Sequence, residues 1–308
     1  MSKLLRAGVR RYIRNVVFWL AFVATGVVAV IASSNARSFY FDDIYCIIVF
    51  LSFAVMISWL VGRENDEGIF KNKIIAGYTK GQIFISELIL GVGACLLLFL
   101  LFASVFSIFN GYVFTKASLV VCSKIFLDTL LVNMCFAVIL VTLGCLISKR
   151  AIVAIVNIIL VLIIIFVSYG VQHIAEQEEY FIEYEYEDTV VTDELGTHVL
   201  SVPIEGTEHV VKNQNYIDGP IRVISEVIYD IMPYGHITEY IHLTSDWYGY
   251  DYYKDAPETD MTWETSGRDL SFDKEDSERL NYNLIWSVIV NTMVCTVGYI
   301  CFSKKELR

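Results

Sequence analysis

The sequence predicts an all-α polytopic membrane protein with six transmembrane helices and a small α+β extracytoplasmic domain between helices 5 and 6. Three observations carry that prediction: six long apolar stretches, basic residues that recur at alternate connections, and one acidic segment late in the chain. The apolar stretches run over Val16–Ala32, Ile44–Val61, Ile83–Ile108, Leu119–Leu146, Ile152–Tyr169 and Leu284–Phe302. Each meets or approaches the roughly 18–20 residues a helix needs to cross the hydrocarbon of a bilayer. Backbone amides find no water there, so continuous helices are the physical solution. Hydrophobic residues make up 56% of the chain, against roughly 45–50% in an average soluble domain.

Residues 1–15 read as an amphipathic helix lying in the cytoplasmic interface. Leu4, Leu5, Val9, Tyr12 and Ile13 fall on one side, with Arg6, Arg10 and Arg14 at four-residue spacing on the other. Bases, an apolar run and Ser34-Asn35-Ala36 also follow the grammar of a cleaved leader, but the run is longer than a leader's core, so a retained first span is expected. Residues 16–170 then hold spans one to five. Orientation follows from the bases: the N-terminal set, Arg63, Lys71, Lys73 and Lys80, the pair Lys149-Arg150, and Lys304, Lys305 and Arg308 lie at alternate connections. They share one side, the cytoplasm, and place both termini there.

The first long cytoplasmic connection, residues 62–82, reads GRENDEGIFKNKIIAGYTKGQ. Glu64, Asp66 and Glu67 precede Lys71 and Lys73, an order that complements a helix dipole. Phe70 and Ile74 stack one turn apart, and Gly77 is placed to end the helix in a left-handed conformation. Thr79 and Gln82 have the spacing of a capping box that starts the third span. The product is a short charged helix held at a fixed angle below the membrane, an element suited to being pushed by a partner.

Polar residues inside the spans are few. Glu87 is expected to reach the cytoplasmic interface, and Lys124 with Asp128 to pair one turn apart near the opposite one. Asn133, Asn157 and Asn291 lie deeper and can glue helices together. Asn157 and Asn291 occupy the spans that flank the acidic segment and are the candidates for lining a pathway, while Gly91 and Gly93 permit close helix contact. All seven cysteines fall in or beside apolar spans, where thiols behave as small hydrophobes, and none lies in the acidic segment.

Residues 171–281 are a different material. They hold 26 carboxylates against six bases, so the low isoelectric point describes this segment and not the membrane body. Ile182, Tyr184 and Tyr186 alternate with glutamates as in a half-buried strand, Asp193–Gly196 can turn the chain, and His198–Ile204 can return it. Ile221, Ile224, Val227, Ile228 and Ile231 mark an amphipathic helix ending at Pro233. His236–Leu243 and the aromatic run Trp247–Tyr253 have the character of interfacial segments, and residues 266–279 form a polar lead into the last span, which with the tail occupies 282–308. Tyr184, Tyr186 and Tyr250, on an acidic surface, are candidates for capturing a cationic substrate. His236, Glu239 and His242 do not share one helical face, so no metal site is expected. No basic patch points to nucleic acid, no His-Glu-x-x-His pair or paired aspartates lie in the spans, and no catalytic residue is assigned.

Together these features resemble the permease subunits of ABC-2 type transporters, found in many bacterial multidrug, lantibiotic-immunity and peptide exporters. The resemblance rests on Glu67-Gly68, Ala76-Gly77, Thr79-Lys80 and Ile83-Phe84 in the first cytoplasmic connection, the Lys149-Arg150 turn and the Phe302–Lys305 tail. It extends to Ile231-Met232-Pro233-Tyr234-Gly235-His236, where His236 replaces the family's glutamine. It implies a bacterial cell-membrane protein, embedded in lipid, that is not itself an enzyme. Its coupling helix, with Glu64, Glu67, Phe70, Lys71, Lys73 and Ile74, would dock on a separate P-loop ATPase. ATP and Mg would be bound by that partner, since this chain has no Gly-x-x-x-x-Gly-Lys-Ser/Thr loop and no cofactor of its own. A second copy or a sister permease would complete the transporter, whose substrate could be a peptide, an antibiotic or lipid-like. The alternative function is an extracytoplasmic ligand-binding sensor or immunity membrane protein that transports nothing.

Overall fold

A computed structural model describes residues 1–35, 43–109, 119–175, 177–183, 186–193, 196–203, 207, 209–232, 235–237, 240 and 274–306. The described chain is mostly helical and contains six helices long and apolar enough to cross a membrane. It divides into two units, residues 1–168 with 230–308, and residues 169–229.

In the first unit, α1 (Ser2–Ile13) leads through Arg14 and Asn15 into α2 (Val16–Asn35). The second span is α3 (Asp43–Ile57), which continues through a π-helical turn, Ser58–Gly62, into α4 (Arg63–Asp66). Helical structure therefore persists five residues beyond the apolar stretch. The polar residues 63–66 stay helical because Glu64 and Asn65 find partners inside the fold, described below. The short α5 (Ile69–Ile75) follows, then α6 (Lys80–Phe109), α7 (Leu119–Leu146) and α8 (Arg150–Ala175). The last span, α10 (Lys274–Lys304), begins eight residues before the boundary set by composition, because its polar lead is already helical.

α7 sits at the centre, packed against α10, α6 and α3, and α6 in turn packs on α2. Close approach of α6 to α7 depends on Gly91, where a Cβ would run into Val141. Gly93 meets nothing within 4 Å, so only the first of the two expected contact glycines is one. The peripheral helices turn apolar side chains outward: Ile152, Ile155, Ile159, Ile163 and Phe166 form an exposed stripe down α8 at three- and four-residue spacing. That is the reverse of a soluble fold and what a lipid solvent requires.

The described residues of the acidic segment fall into both units. Residues 169–229 make the second unit, whereas residues from Asp230 onward belong with the membrane helices. The second unit holds two antiparallel pairs. β1 (Tyr180–Glu183) pairs with β4 (His209–Lys212), and β2 (Tyr186–Asp193) pairs with β3 (Gly196–Pro203). The expected hairpin is present, with Asp193 opposite Gly196. The alternating run that predicted one strand is shared between two: Ile182 lies in β1 opposite Val210, and Tyr186 in β2 opposite Pro203. Gly219, at φ +82°, and Pro220 start α9 (Pro220–Ile231), as a fixed proline φ favours at a helix's first position.

Candidate functional site

The first site gathers around α5. Gly68, at φ +71°, starts this helix and Gly77, at φ +90°, ends it. The Gly77 N–H donates to the Ile74 carbonyl at 2.9 Å and the Tyr78 N–H to the Lys73 carbonyl at 3.1 Å, a Schellman termination at the predicted residue. One residue on, the predicted capping box forms. The Thr79 N–H donates to Gln82 Oε1 at 3.1 Å and the Gln82 N–H to Thr79 Oγ1 at 3.2 Å. The junction of α5 with α6 is thus fixed by local chemistry.

Its charged residues do not all face water. Glu64, at 1% exposure, and Glu87, at 0%, are buried. Lys73 lies between them, with Nζ 2.6 Å from Glu64 Oε2 and 2.6 Å from Glu87 Oε1. Arg11 of α1 joins from the other side, pairing with Glu64 and standing 3.7 Å from Glu87 Oε2. Two cations and two carboxylates therefore compensate one another, which offsets the cost of taking each out of water. Glu87 is buried within the protein against Lys73 and Arg11. Among the six residues assigned to docking, Glu64, Phe70 and Lys73 face inward, Ile74 is half-buried, and Glu67 and Lys71 are exposed beside Asn72 and Ile75.

α1 explains how Arg11 arrives. Leu4, Gly8 and Tyr12 form its buried face, with Gly8 against Leu90 of α6, while Val9 and Ile13 are exposed. The apolar side is thus split between protein and surroundings. Arg11 stands apart from the Arg6, Arg10, Arg14 series and next to Tyr12; that break in the spacing was the signal for its inward role. Burial, reinforced by the Glu87 carboxylate, raises the Tyr12 phenol well above its ordinary pKa.

The same end of the molecule is closed by the tail. Phe302 is fully buried, stacked on Phe84 at 5.5 Å and edge-on to Phe70 at 5.9 Å. Lys305 Nζ donates to the Cys145 carbonyl at 2.9 Å and to Asn65 Oδ1 at 3.2 Å. Asn65 Nδ2 meets the carbonyls of Gly144, Cys145 and Ile147 at 3.2, 2.9 and 2.7 Å. These are the orphan acceptors at the end of α7. Partial burial lowers the Lys305 ammonium pKa from its ordinary value. Nothing in the sequence near Asn65 announces this role, since its acceptors lie about 80 residues away.

A second polar cluster lies at the start of α7. Asp128 is buried at 0% exposure, and its Oδ2 accepts from the Tyr240 hydroxyl at 2.7 Å. His236 Nδ1 is 3.0 Å from the same oxygen, and His236 Nε2 faces the Asp230 carbonyl at 3.0 Å. A carbonyl only accepts, so Nε2 donates toward Asp230, while Nδ1 faces the Asp128 carboxylate. Asp128 thus takes its partners from residues 236 and 240, in place of the expected pairing with Lys124. Ser287 Oγ approaches His236 at 3.2 Å, on the same Nδ1 that faces Asp128. A nucleophile relay needs serine and carboxylate on opposite ring nitrogens, so this geometry is not a Ser-His-Asp triad. The histidine that stands where the resembled family has glutamine is here the partner of a buried carboxylate.

The two pathway candidates sit at helix contacts. Asn157 Nδ2 donates to Ser58 Oγ at 2.9 Å, joining α8 to the π-helical turn, where Arg150 also lies over the Trp59 ring at 4.4 Å. Asn291 Nδ2 donates to the Leu131 carbonyl at 3.0 Å and the Ser287 carbonyl at 2.8 Å, joining α10 to α7. Of the aromatic substrate candidates, Tyr186 lies in β2, and Tyr184 and Tyr250 lie outside the described residues, as do Glu239 and His242. Among the described residues no three His, Cys, Asp or Glu side chains gather as a metal site. Compared with known proteins, the chain matches no family model, no curated protein and no solved structure.

Proposed function

We propose that this chain is the membrane-spanning permease subunit of an ATP-driven exporter of the ABC-2 type. The observation that carries the reading is α5: a short helix bracketed by two left-handed glycines, exposing Lys71, Asn72 and Ile75 while Lys73 grips Glu87 of the third span. A partner pressing on the exposed face moves α6 directly, because the buried ion pairs leave little slack between the two helices. The mechanism is then mechanical: a separate P-loop ATPase binds ATP and Mg, and its closure displaces α5, α1 and the span joined to them. A second copy or sister permease supplies the other half of the path. On this reading both termini and α5 are cytoplasmic, the α+β unit is extracytoplasmic, and Asn157 and Asn291 move with the spans that line the route.

The test is gentle purification of the tagged full-length chain from its native membranes, with mass spectrometry of what comes with it. A P-loop ATPase in stoichiometric amount is expected, and it should be lost from Ile75→Asp and Glu67→Lys variants that still reach the membrane. Recovery without an ATPase in several mild detergents overturns the reading and favours the sensor or immunity module.

A further inference from the structure

α9 is packed the wrong way round for a helix of a water-soluble domain. At 100° per residue, Val223, Val227, Ile231, Ile224, Ile228 and Ile221 fill one continuous apolar arc. Ser225, Tyr229, Arg222, Glu226 and Asp230 fill the other side. A domain core would take the apolar arc. Here the buried residues are Ser225 and Tyr229, at 5% and 3% exposure, while Val223, Ile224 and Val227 stand 59%, 57% and 51% exposed.

What faces that arc follows from where the helix is fastened. Arg222, on the polar side, donates to the carbonyls of Ala175 at 3.0 Å, Gln177 at 2.9 Å and Ile174 at 3.4 Å. Ile174 and Ala175 are the last residues of α8, the fifth candidate span, so the guanidinium caps the carbonyl end of that helix. Arg222 also stacks on Tyr216 at 4.7 Å and pairs with Glu226 at 2.9 Å, which fixes its own position. α9 is thereby fastened to the end of α8, with an unbroken apolar arc and its charges on the opposite side and edges.

We propose that α9 lies in the interface of the leaflet into which α8 exits, its Ile221, Ile224, Val227 and Ile231 face inserted among the lipid chains. The occupant is phospholipid, and α9 is a membrane-surface anchor that joins the strand-bearing unit to the bilayer. This goes beyond the transport reading and does not depend on it, since it needs only that α8 spans a membrane.

The experiment uses the full-length chain in nanodiscs of phosphatidylglycerol and phosphatidylethanolamine, with p-benzoylphenylalanine replacing Val227 and, separately, Ile224. After illumination, peptide mass spectrometry should find phospholipid adducts at both positions, several-fold above the same probe at exposed Lys212 of β4. Adducts no more frequent than at Lys212 would overturn the proposal. So would a covalent dimer, which would assign the face to a second copy, or cross-links confined to other parts of the same chain.

Discussion

Two buried polar clusters, one around Lys73 and one around Asp128, meet the same physical demand in different ways. At the first, four side chains from α1, α4, α5 and α6 bring two positive and two negative charges together. At the second, one carboxylate is answered by an imidazole and a phenol. The first joins separate helices through paired opposite charges; the second surrounds one carboxylate with a ring nitrogen and a hydroxyl. The difference teaches that a charge inside a membrane protein is tolerated by what surrounds it, and that each solution leaves a different mark when one member is removed.

The comparison breaks most sharply at Lys73. Lys73→Met leaves Glu64 and Glu87 buried against Arg11 alone and is expected to cost about 3–5 kcal/mol. The check is thermal unfolding of the detergent-purified protein, and adding Glu87→Leu should recover part of the loss. A shift of under about 1 kcal/mol would mean that Lys73 behaves as a solvent-exposed partner. At the other cluster, His236→Ala is expected to cost about 3 kcal/mol, because Asp128 keeps only the phenol among its described donors. His236→Gln, whose amide can still donate, should retain more stability in the same assay.

Between the clusters, Gly91 lies one helical turn after Glu87 and against Val141 of the helix that carries Asp128. Gly91→Ala should destabilise by about 1–3 kcal/mol through overpacking. Gly93→Ala, with open space at the added methyl, should be neutral or stabilising by up to about 1 kcal/mol, the ordinary helix gain. Equal effects at the two glycines would show that α6 and α7 do not meet at Gly91. At the second cluster, Tyr240→Phe removes one donor from Asp128 and should cost about 1.5 kcal/mol, less than the loss of His236. If it costs as much as His236→Ala, the phenol and not the imidazole is the carboxylate's main support.

Legibility in the sequence followed the range of each interaction. The Schellman turn at Gly77, the Thr79–Gln82 box and the β2–β3 hairpin were readable because their partners lie within a few residues and the residue types are specific. Arg11 was half-legible, as the basic residue that breaks a regular spacing. The pairing of Lys73 with Glu64 and Glu87 was not, since an acid-then-base order suits a solvated helix equally well. That Asp230, His236 and Tyr240 group with the membrane helices was not legible, because composition reports average polarity and not where a single histidine is needed.

The sequence by itself determined the six membrane helices, most of their ends, the stop at Gly77 and the presence of α9 as an amphipathic element, but not the break at Gly68 that divides the expected helix from Glu64 to Ala76 into α4 and α5. Lipid forbids unsatisfied backbone, and helix ends and turns obey local chemistry, so these follow from composition and short-range pattern. Only the tertiary structure decided that Lys73 bridges two buried glutamates, that His236 answers an aspartate 108 residues earlier, and that α9 turns its polar side inward. An amphipathic pattern defines two faces but not which one packs, and a buried charge defines a need but not its partner. Both are settled by which helices come to lie side by side.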